Sequence, residues 1–587
     1  MEIKWSLKEL YQSFDDPQFI NDLDQLKQNL VELKTYSDQK HEEHYLVDYL
    51  HKENETDDLV EKIYAFISLT MSTDTKHRQA IKYASLIETL LASFADSGAA
   101  IQKWIGKFDV SQLNHPYIQE HAFILKEMQD HNHYLLDEQS EAVLANMQTT
   151  GSSSWEQYKD QLVSAMKVTI DHQDYPLTEV LNMAYSKDRK LRKKSYECEI
   201  KSYEKVEQGI ASALNAIKGE AMTIANLRGY QSILDRTLKD SRMSQKTLDA
   251  LMNTVKKSLP LFEKYYQTKA KLLGYDHGLP WYEIYAPITD VSSHYDYEQG
   301  GQFVVEQFQT FSQELGDFAS KAIKNNWIDV YPREGKVGGA FCNNIHSIQE
   351  SRFLLNYGND FSDVITLAHE LGHGFHGYCL DQQSSLNSGY PMPIAETAST
   401  FCETIVKKAA LKNANQDIKL MILESEISDC AQVIVDIYSR FLFESRLIKE
   451  RENGPLSVEE IKNLMIESQK DAYGNGLDHD YLHPYMWTWK SHYYQVNQAF
   501  YNFPYTFGLL LARGLYCLYI EEGETFAKKY ENFLSLTGKM NLEDLCMTIG
   551  IDIEDEVFWE KSIQSIASDL DVFYDLIEKN EKTSLDK

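Results

Sequence analysis

The chain has 587 residues, 43% of them hydrophobic, and a formal net charge of −31 from 58 basic and 89 acidic residues. This acidic excess argues against nucleic acid as a partner and favours solubility. The first residues lack the apolar core of a signal peptide, and no stretch approaches the about 20 apolar residues of a transmembrane helix. Seven dispersed cysteines fit a reducing compartment, so we expect a cytoplasmic protein with no membrane partner.

The first 185 residues are predicted to form successive helices, with few glycines and prolines. Leu23–Leu33 and Leu59–Leu69 have apolar residues at helical intervals, and the charged segment Lys52–Asp58 between them is predicted to be a turn. Thr149–Ser154 is predicted to be a flexible joint, whose last serine caps the next helix. These features predict an N-terminal helical lobe over residues 1–185.

Residues 200–275 and 295–325 continue the helical pattern, and residues 327–357 change character. Three short segments there are typical of β-strands and end in turn-forming residues. They are Trp327–Tyr331, Ala340–Ile345 and Ser351–Tyr357. The sequence therefore predicts a small sheet immediately before the next helix.

That next helix, predicted from the apolar spacing of Asp363–Phe375, contains the motif His369-Glu370-Leu-Gly-His373. Residues four apart share one face of a helix, so His369 and His373 can offer imidazole nitrogens to one ion. Glu370 is then close enough to hold a water molecule bound to that ion. Zn²⁺ suits this arrangement, because it binds two histidines, a third protein ligand and a water. The alternative is that both histidines are ordinary polar residues of an amphipathic helix.

The third ligand of a zinc site built on this motif can be another histidine. Metzincins carry one ten residues after the first, but position 379 is Cys, which excludes that class. His376 lies seven residues from His369, about 10 Å along the helix axis at 1.5 Å per residue, so it cannot share the ion. We predict that His376 supports a ligand or faces the substrate.

A glutamate from a following helix is the other solution. Two prolines, which are tolerated at a helix start, precede a helical pattern that contains Glu396 and Glu403. Because the two are seven residues apart, they share a helix face. We predict that Glu396 is the ligand and that Glu403 orients a histidine, against the alternative that both are solvated.

The motif His369–His373, followed by Ala395-Glu396-Thr-Ala-Ser399 and Glu403, resembles the thimet oligopeptidase family of zinc peptidases, family M3, in its oligoendopeptidase F branch. The similarity covers essentially the whole chain. It extends to the following segments: Trp5–Tyr11, Arg228–Asp235, Gly338–Cys342 and Tyr501–Gly508.

The resemblance implies a mainly α-helical fold of two lobes around a deep channel, with the small sheet next to the zinc helix. It implies a catalytic region over residues 186–587 and one Zn²⁺ per chain, bound by His369, His373 and Glu396. With Glu370 as general base, the expected reaction is hydrolysis of internal bonds in short, unstructured peptides.

The predicted sheet offers a way to hold such peptides. An edge strand can bind an extended peptide through main-chain hydrogen bonds, without demanding one sequence. We predict this role for the Ser351–Tyr357 strand or the Gly338–Cys342 segment, whose loop the resemblance implies to be mobile near the substrate. A purely structural hairpin is an equal alternative. The candidate substrate-binding residues are Gly338, Gly339, Ala340, Phe341, Arg352 and Leu354.

The segment Asn475–Gly508 is dense in Tyr, His and Trp. Tyrosine and histidine can donate hydrogen bonds to the oxyanion that forms when a peptide carbonyl is attacked. In the family, a histidine and tyrosines of a late loop do this. The resemblance assigns the role to Tyr505, with help from His492 or Tyr501, and His483 is a second candidate for the histidine. The proline before Tyr505 predicts a helix start there.

Two other functions remain open from the sequence. One is a zinc carboxypeptidase of similar helical build, which needs a cationic group for the free carboxylate of its substrate. The other is a binding or scaffold protein with a decayed site, which the full set of catalytic residue types argues against. The oligomeric state, monomer or homodimer, and the preferred cleavage site are not indicated.

Overall fold

The computed structural model describes residues 3–289 and 294–585. Within these ranges the chain is mainly α-helical with two small sheets, which confirms the predicted fold class. The strands are β1 (Lys167–Ile170), β2 (Gln173–Pro176), β3 (Ile328–Asp329), β4 (Phe341–Ile345) and β5 (Glu350–Leu354).

The helices of the described chain are joined by short turns, several of them 3₁₀ in character. In chain order they are α1 (Pro17–Lys34), α2 (Glu43–Thr73), α3 (Arg78–Ala92), α4 (Ala95–Ile105), α5 (Pro116–Glu120), α6 (Ala122–Asn132), α7 (Glu138–Thr150), α8 (Ser152–Ala165), α9 (Leu177–Asn182), α10 (Arg189–Tyr203), α11 (Glu207–Arg228), α12 (Ile233–Asp240), α13 (Gln245–Leu272), α14 (Tyr297–Phe311), α15 (Gln313–Lys324), α16 (Phe361–Leu380), α17 (Met392–Asn413), α18 (Gln416–Ala431), α19 (Ile437–Arg451), α20 (Val458–Tyr473), α21 (Met486–Trp489), α22 (Phe503–Glu522), α23 (Thr525–Ser535), α24 (Leu542–Met547) and α25 (Glu556–Leu585).

Two compact units share these elements, and each is assembled from three separate segments. The first comprises residues 1–134, 293–412 and 515–551, and the second comprises residues 135–292, 413–514 and 552–587. A core of apolar side chains from the N-terminal helices of the first unit also takes in Ile345 and Leu354 of its sheet. The predicted N-terminal lobe, residues 1–185, is one continuous segment, whereas each compact unit combines three segments. The predicted boundary at residue 185 therefore stays a prediction.

Helix α2 corrects the prediction of a turn at Lys52–Asp58, because it runs through that segment without a break. Lys and Glu are good helix formers, so charge alone does not end a helix. Asn54 is buried, and its side-chain amide donates to the Leu50 carbonyl at 2.9 Å and to the Tyr117 hydroxyl at 3.0 Å. The polar side chain of Asn54 therefore makes a tertiary contact while its backbone remains part of the helix.

Two other predicted boundaries also differ from the structure. Of the predicted joint Thr149–Ser154, only Gly151 lies outside a helix, between α7 and α8. Ser154 lies inside α8 rather than at its N-cap. The helix predicted over residues 295–325 is divided at Ser312, whose hydroxyl accepts the Leu315 N–H at 3.4 Å and so caps α15.

The three-stranded sheet of the first unit confirms the prediction of a small sheet before the helix α16. Its strand order is β3-β5-β4, with β3 parallel and β4 antiparallel to β5. The sheet packs on α16 where Gly374 leaves no room for a side chain, since a Cβ there would lie 2.5 Å from the Phe353 ring. In the strand order β3-β5-β4, β5 is the central strand and β4 is an edge strand.

Helix α22 is long and apolar enough to cross a membrane by length and composition alone. However, 67% of its apolar window is buried inside the structure, which is the behaviour of a core helix. The seven cysteines are all free, as their dispersed spacing predicts.

Candidate active site

The helix α16 presents His369 and His373 one turn apart, as their spacing predicts. Its first turn is fixed by Asp363, whose carboxylate accepts the main-chain N–H groups of Asp360 at 2.8 Å and Gly358 at 3.0 Å. An acidic side chain there also interacts favourably with the positive end of the helix dipole. The helix start is thus defined locally, two turns before the first histidine.

Glu396 of α17 completes a set of three ligand atoms with these histidines. The two Nε2 atoms lie 3.1 Å apart, and Glu396 Oε2 lies 3.4 Å from each of them. Tetrahedral zinc with ligand bonds of 2.0–2.1 Å needs ligand atoms about 3.3 Å apart. Nitrogen, nitrogen and carboxylate oxygen are also the donors of catalytic zinc sites, so the residues fit that ion.

A glycine allows α17 to approach α16 closely enough for this geometry. A Cβ added at Gly372 would lie 2.7 Å from the carbonyl oxygen of Ala398 and 2.7 Å from Cα of Ser399. The Ser399 hydroxyl also donates to Glu396 Oε2 at 3.0 Å, which fixes the carboxylate. Burial raises the pKa of Glu396, but His373, His369 and Ser399 outweigh it, so the net pKa is lowered.

Glu403 lies seven residues, about two helical turns, after Glu396 on α17 and contacts His369. Its Oε1 lies 2.6 Å from His369 Nδ1, and Lys407 Nζ donates to its other oxygen at 2.8 Å. Burial raises the pKa of Glu403, but Lys407 and His369 together lower it to about 2. The anionic Glu403 therefore accepts the Nδ1–H of His369 and leaves Nε2 free to face Glu396.

Replacing Glu403 by Gln is expected to lower zinc affinity by about 10–100-fold, as for other residues that orient a metal-binding histidine. The amide keeps the shape of the side chain but removes the charge that fixes the His369 tautomer. Zinc affinity is measured by competition with a chelator. Glu467→Gln, which alters an exposed Glu467–Lys470 pair, is the control, and equal affinity in the two variants would contradict the orienting role.

Glu370 is 5% exposed and lies next to the histidines on α16. Burial raises the pKa of its carboxyl, against the lowering effects of His369 and His373. The carboxyl is therefore a stronger base than an exposed glutamate, which suits proton transfer near neutral pH.

His376, in contrast, is fully buried and does not face the substrate, so that alternative is wrong. Its Nε2 lies 2.9 Å from the hydroxyl oxygen of Thr537, and its ring stacks on Tyr390 with the centroids 4.1 Å apart. Burial, with a smaller contribution from His373, lowers the pKa of His376 to about 3. It holds α16 against its neighbours as a neutral side chain.

The sheet separates the predicted substrate-binding residues into two groups. Arg352 and Leu354 lie on the central strand β5 and are fully buried; the guanidinium pairs with Glu9 and Glu350, and Leu354 belongs to the core. The structure therefore contradicts their assignment to substrate. Gly338, Gly339, Ala340 and Phe341 lead into and begin the edge strand β4, and they remain candidates.

The predicted oxyanion residues lie in the second unit and are close to one another. The hydroxyl oxygens of Tyr501 and Tyr505 are 3.2 Å apart, at the start of α22 that the proline predicts. The ring of His492 stacks on that of Tyr501, with the centroids 6.1 Å apart. His483 has a different partner, because it is buried and its Nε2 lies 3.0 Å from Glu199 Oε1.

Comparison with known proteins identifies the family. The family model for peptidase family M3 matches residues 182–565, which is more than half of the chain, and the model for oligopeptidase F matches residues 110–167. The chain belongs to peptidase family M3. It is a metallo-endopeptidase of the oligoendopeptidase F branch, and the resemblance noted from the zinc motifs is confirmed.

This M3 peptidase has relatives of similar length. It is 24% identical over 546 residues to an oligoendopeptidase F homolog of Lactococcus lactis subsp. lactis, covering 89% of this chain and 88% of the relative. It is 24% identical over 584 residues to one of Borreliella burgdorferi, covering 95% of this chain and 96% of the relative.

Solved structures share the fold of the M3 peptidase. A Chlamydophila abortus protein matches with a TM-score of 0.84 at 21% identity, over 98% of both chains. The oligoendopeptidase-F of Enterococcus faecium matches with a TM-score of 0.71 at 17% identity, over 96% of this chain and 100% of that chain.

Sequence reasoning missed the residues that support the metal ligands. Gly372 of α16 lies against the main chain of α17, a contact that only the packing of the two helices reveals, whereas Ser399 and Lys407 contact Glu396 and Glu403 within α17. A signal was present for Lys407, which lies four residues after Glu403 and so shares its helix face.

Proposed function

We propose that the protein is a zinc endopeptidase that hydrolyses internal bonds of short, unstructured peptides in the cytoplasm. The observation that carries this proposal is the set of three ligand atoms from His369, His373 and Glu396, which all lie within 4.8 Å of one another. The free state of all seven cysteines supports a reducing compartment.

One zinc ion per chain would be held by these three residues. Zinc bound there supplies Lewis acidity, which polarises a carbonyl and makes water a nucleophile at neutral pH. Glu403 supports the site by fixing the tautomer of His369.

Glu370 is the general base of the proposed reaction. Its buried carboxyl, with a raised pKa, takes a proton from the attacking water and delivers it to the leaving amine. Tyr505 donates a hydrogen bond to the oxyanion that forms on the scissile carbonyl, with help from His492 or Tyr501. The 3.2 Å contact between the two tyrosine hydroxyls supports this role, because it holds both groups in one orientation.

The edge strand β4 and the residues before it, Gly338, Gly339 and Ala340, are proposed to hold the peptide in an extended conformation. One side of β4 pairs with β5, in a register that sets Phe341 opposite Leu354 and Asn343 opposite Arg352. Main-chain hydrogen bonds on its other side would recognise peptide without demanding a particular sequence.

The experiment that tests this function is digestion of a peptide with an amidated C-terminus, followed by mass spectrometry of the products. We expect cleavage at internal bonds, loss of cleavage when a chelator removes the metal, and recovery when zinc is added back. An absolute requirement for a free C-terminal carboxylate would instead favour the zinc carboxypeptidase. Cleavage that is insensitive to the chelator would contradict the zinc mechanism.

A further inference from the structure

The turn that precedes α22 carries Tyr501 and has an unfavourable backbone conformation. We define the Tyr501 turn as the four residues Ala499–Asn502. Phe500 has a φ of 54°, in a region that bulky residues rarely adopt. Such conformations persist only where the surrounding contacts enforce them, and they concentrate at functional sites. The contacts of the turn therefore identify the residues that hold Tyr501 in place.

A buried ion pair holds the residue before Tyr501. The main-chain N–H of Phe500 donates to Oε2 of Glu444 on α19 at 3.1 Å. Lys218 Nζ of α11 donates to the other oxygen of Glu444 at 2.6 Å, and the two side chains are 1% and 2% exposed. A buried ion pair adds little stability, because the cost of removing its charges from water offsets their attraction. A hydrogen bond to a charged acceptor is strong and directional, so the pair is suited to fixing the turn.

Arg440 holds the residue after Tyr501. It lies four residues before Glu444 on α19, so the two side chains share one face of the helix. Arg440 Nη1 donates to Asn502 Oδ1 at 3.0 Å, and its Nη2 pairs with Asp436. Asn502 is buried. Tyr501 therefore lies between two residues that are both bonded to the same face of α19.

Tyr505 is attached to the same region of the second unit. Its N–H donates to the Asn502 carbonyl at 3.1 Å, and the hydroxyl of its neighbour Thr506 donates to the Val433 carbonyl at 2.6 Å. Val433 lies in a π-helical turn, Gln432–Asp436, directly before α19. Such turns are frequent at functional sites. Helix α19 and the turn before it thus fix the main chain beside both tyrosines, whose hydroxyl oxygens lie 3.2 Å apart.

We propose that Glu444 and Arg440 are positioning residues that set the orientation of the Tyr501–Tyr505 hydroxyl pair. The inference rests on the proposed function, in which these hydroxyls stabilise the oxyanion. A donor is effective in that role only if its direction is fixed before the reaction. A displacement of about 1 Å can lower the rate about 10²-fold, which gives the two anchors a measurable effect.

Two double variants separate the hydrogen bond to Phe500 from the ion pair. The acceptor variant, Lys218→Met with Glu444→Gln, removes both charges but keeps an oxygen that can accept the Phe500 N–H. The acceptor-free variant, Lys218→Met with Glu444→Met, removes both charges and the oxygen. Changing Lys218 in both avoids a buried and unpaired charge. Thermal unfolding and zinc content confirm that both proteins are folded and loaded.

We expect the acceptor variant to keep most of the wild-type kcat and the acceptor-free variant to lose about ten- to a hundredfold, with KM and zinc affinity unchanged. Asn502→Asp, which keeps an acceptor for Arg440, and Asn502→Leu, which does not, should differ in the same direction. Equal kcat of the two double variants would reject the role of Glu444. Equal kcat of Asn502→Asp and Asn502→Leu would reject that of Arg440.

A variant cycle shows whether the effect acts through the tyrosine hydroxyls. In a background with Tyr501→Phe and Tyr505→Phe, no hydroxyl remains to be oriented. The difference in kcat between the acceptor and acceptor-free variants should therefore disappear, whereas a general structural defect would persist. A difference that persists at full size would overturn the positioning role.

Fluorine NMR of 3-fluorotyrosine placed at position 501 tests the orientation without catalysis. We expect the wild type and the acceptor variant to share one resonance position, and the acceptor-free variant to show a shifted or broadened resonance. Identical resonances in all three proteins would overturn the inference. Full activity with Tyr501→Phe and Tyr505→Phe, or no cleavage by the wild type, would reject the proposed function instead, and the resonances would still decide the positioning.

Discussion

Replacing Glu370 by Gln is expected to leave about one zinc per chain while lowering kcat/KM by roughly 10²–10⁴-fold, the usual contribution of a general base. The amide occupies the same space but cannot accept a proton. Because the proposed ligand atoms belong to His369, His373 and Glu396, the proposed metal site keeps its donors. Metal content is measured by elemental analysis and kcat/KM with a fluorogenic peptide.

The contrast with Glu403→Gln makes this result specific. Both substitutions remove the charge of a carboxylate near the same histidines, but Glu403 contacts His369 Nδ1 at 2.6 Å, and its loss should weaken metal binding first. At saturating zinc, Glu403→Gln should therefore recover most of its activity and Glu370→Gln should not. Unchanged cleavage by Glu370→Gln would refute its role as the base, and loss of zinc from it would show that it supports the metal.

The metal-binding triad was predictable because most of its geometry is local. Four residues along a helix set the distance between His369 and His373, and two prolines mark where the helix of Glu396 begins. Only the packing of α16 on α17 is long-range, and the motif itself indicates that a third ligand must come from somewhere nearby. The structure brings the three atoms together; the zinc role of the residues remains our proposal.

The sequence predicts the strands of the sheet but not their order. The alternation of apolar and polar residues along a strand does not indicate which strand lies between the other two. For this reason Arg352 and Leu354 were assigned to substrate although β5 is central. The hairpin of β1 and β2 was missed altogether. Its turn has positive φ at Asp171 (52°) and His172 (67°), where Asn-Gly or Asp-Gly is the usual signal of such a turn.

Replacing Gly372 by Val is expected to reduce zinc affinity by at least about a hundredfold, because changes that only reorient a ligand already cost about 10–100-fold. A side chain at position 372 would collide with main-chain atoms of α17, at 2.7 Å from both Ala398 O and Ser399 Cα. Main chain cannot rotate away as a side chain can, so α17 must shift and carry Glu396 away from the histidines. Chelator competition measures the affinity.

Gly98→Ala is the matched control, because Gly98 also lies within a helix, α4, but a Cβ there would meet only the Phe94 ring at 3.9 Å. It should leave zinc affinity unchanged and slightly stabilise the helix. Gly372→Ala should fall between the control and Gly372→Val, since the collision begins with Cβ and grows with the added methyl groups. If folded Gly372→Val bound zinc as tightly as the wild type, Glu396 would not depend on the close approach of α16 and α17, and its place as the third ligand would be refuted.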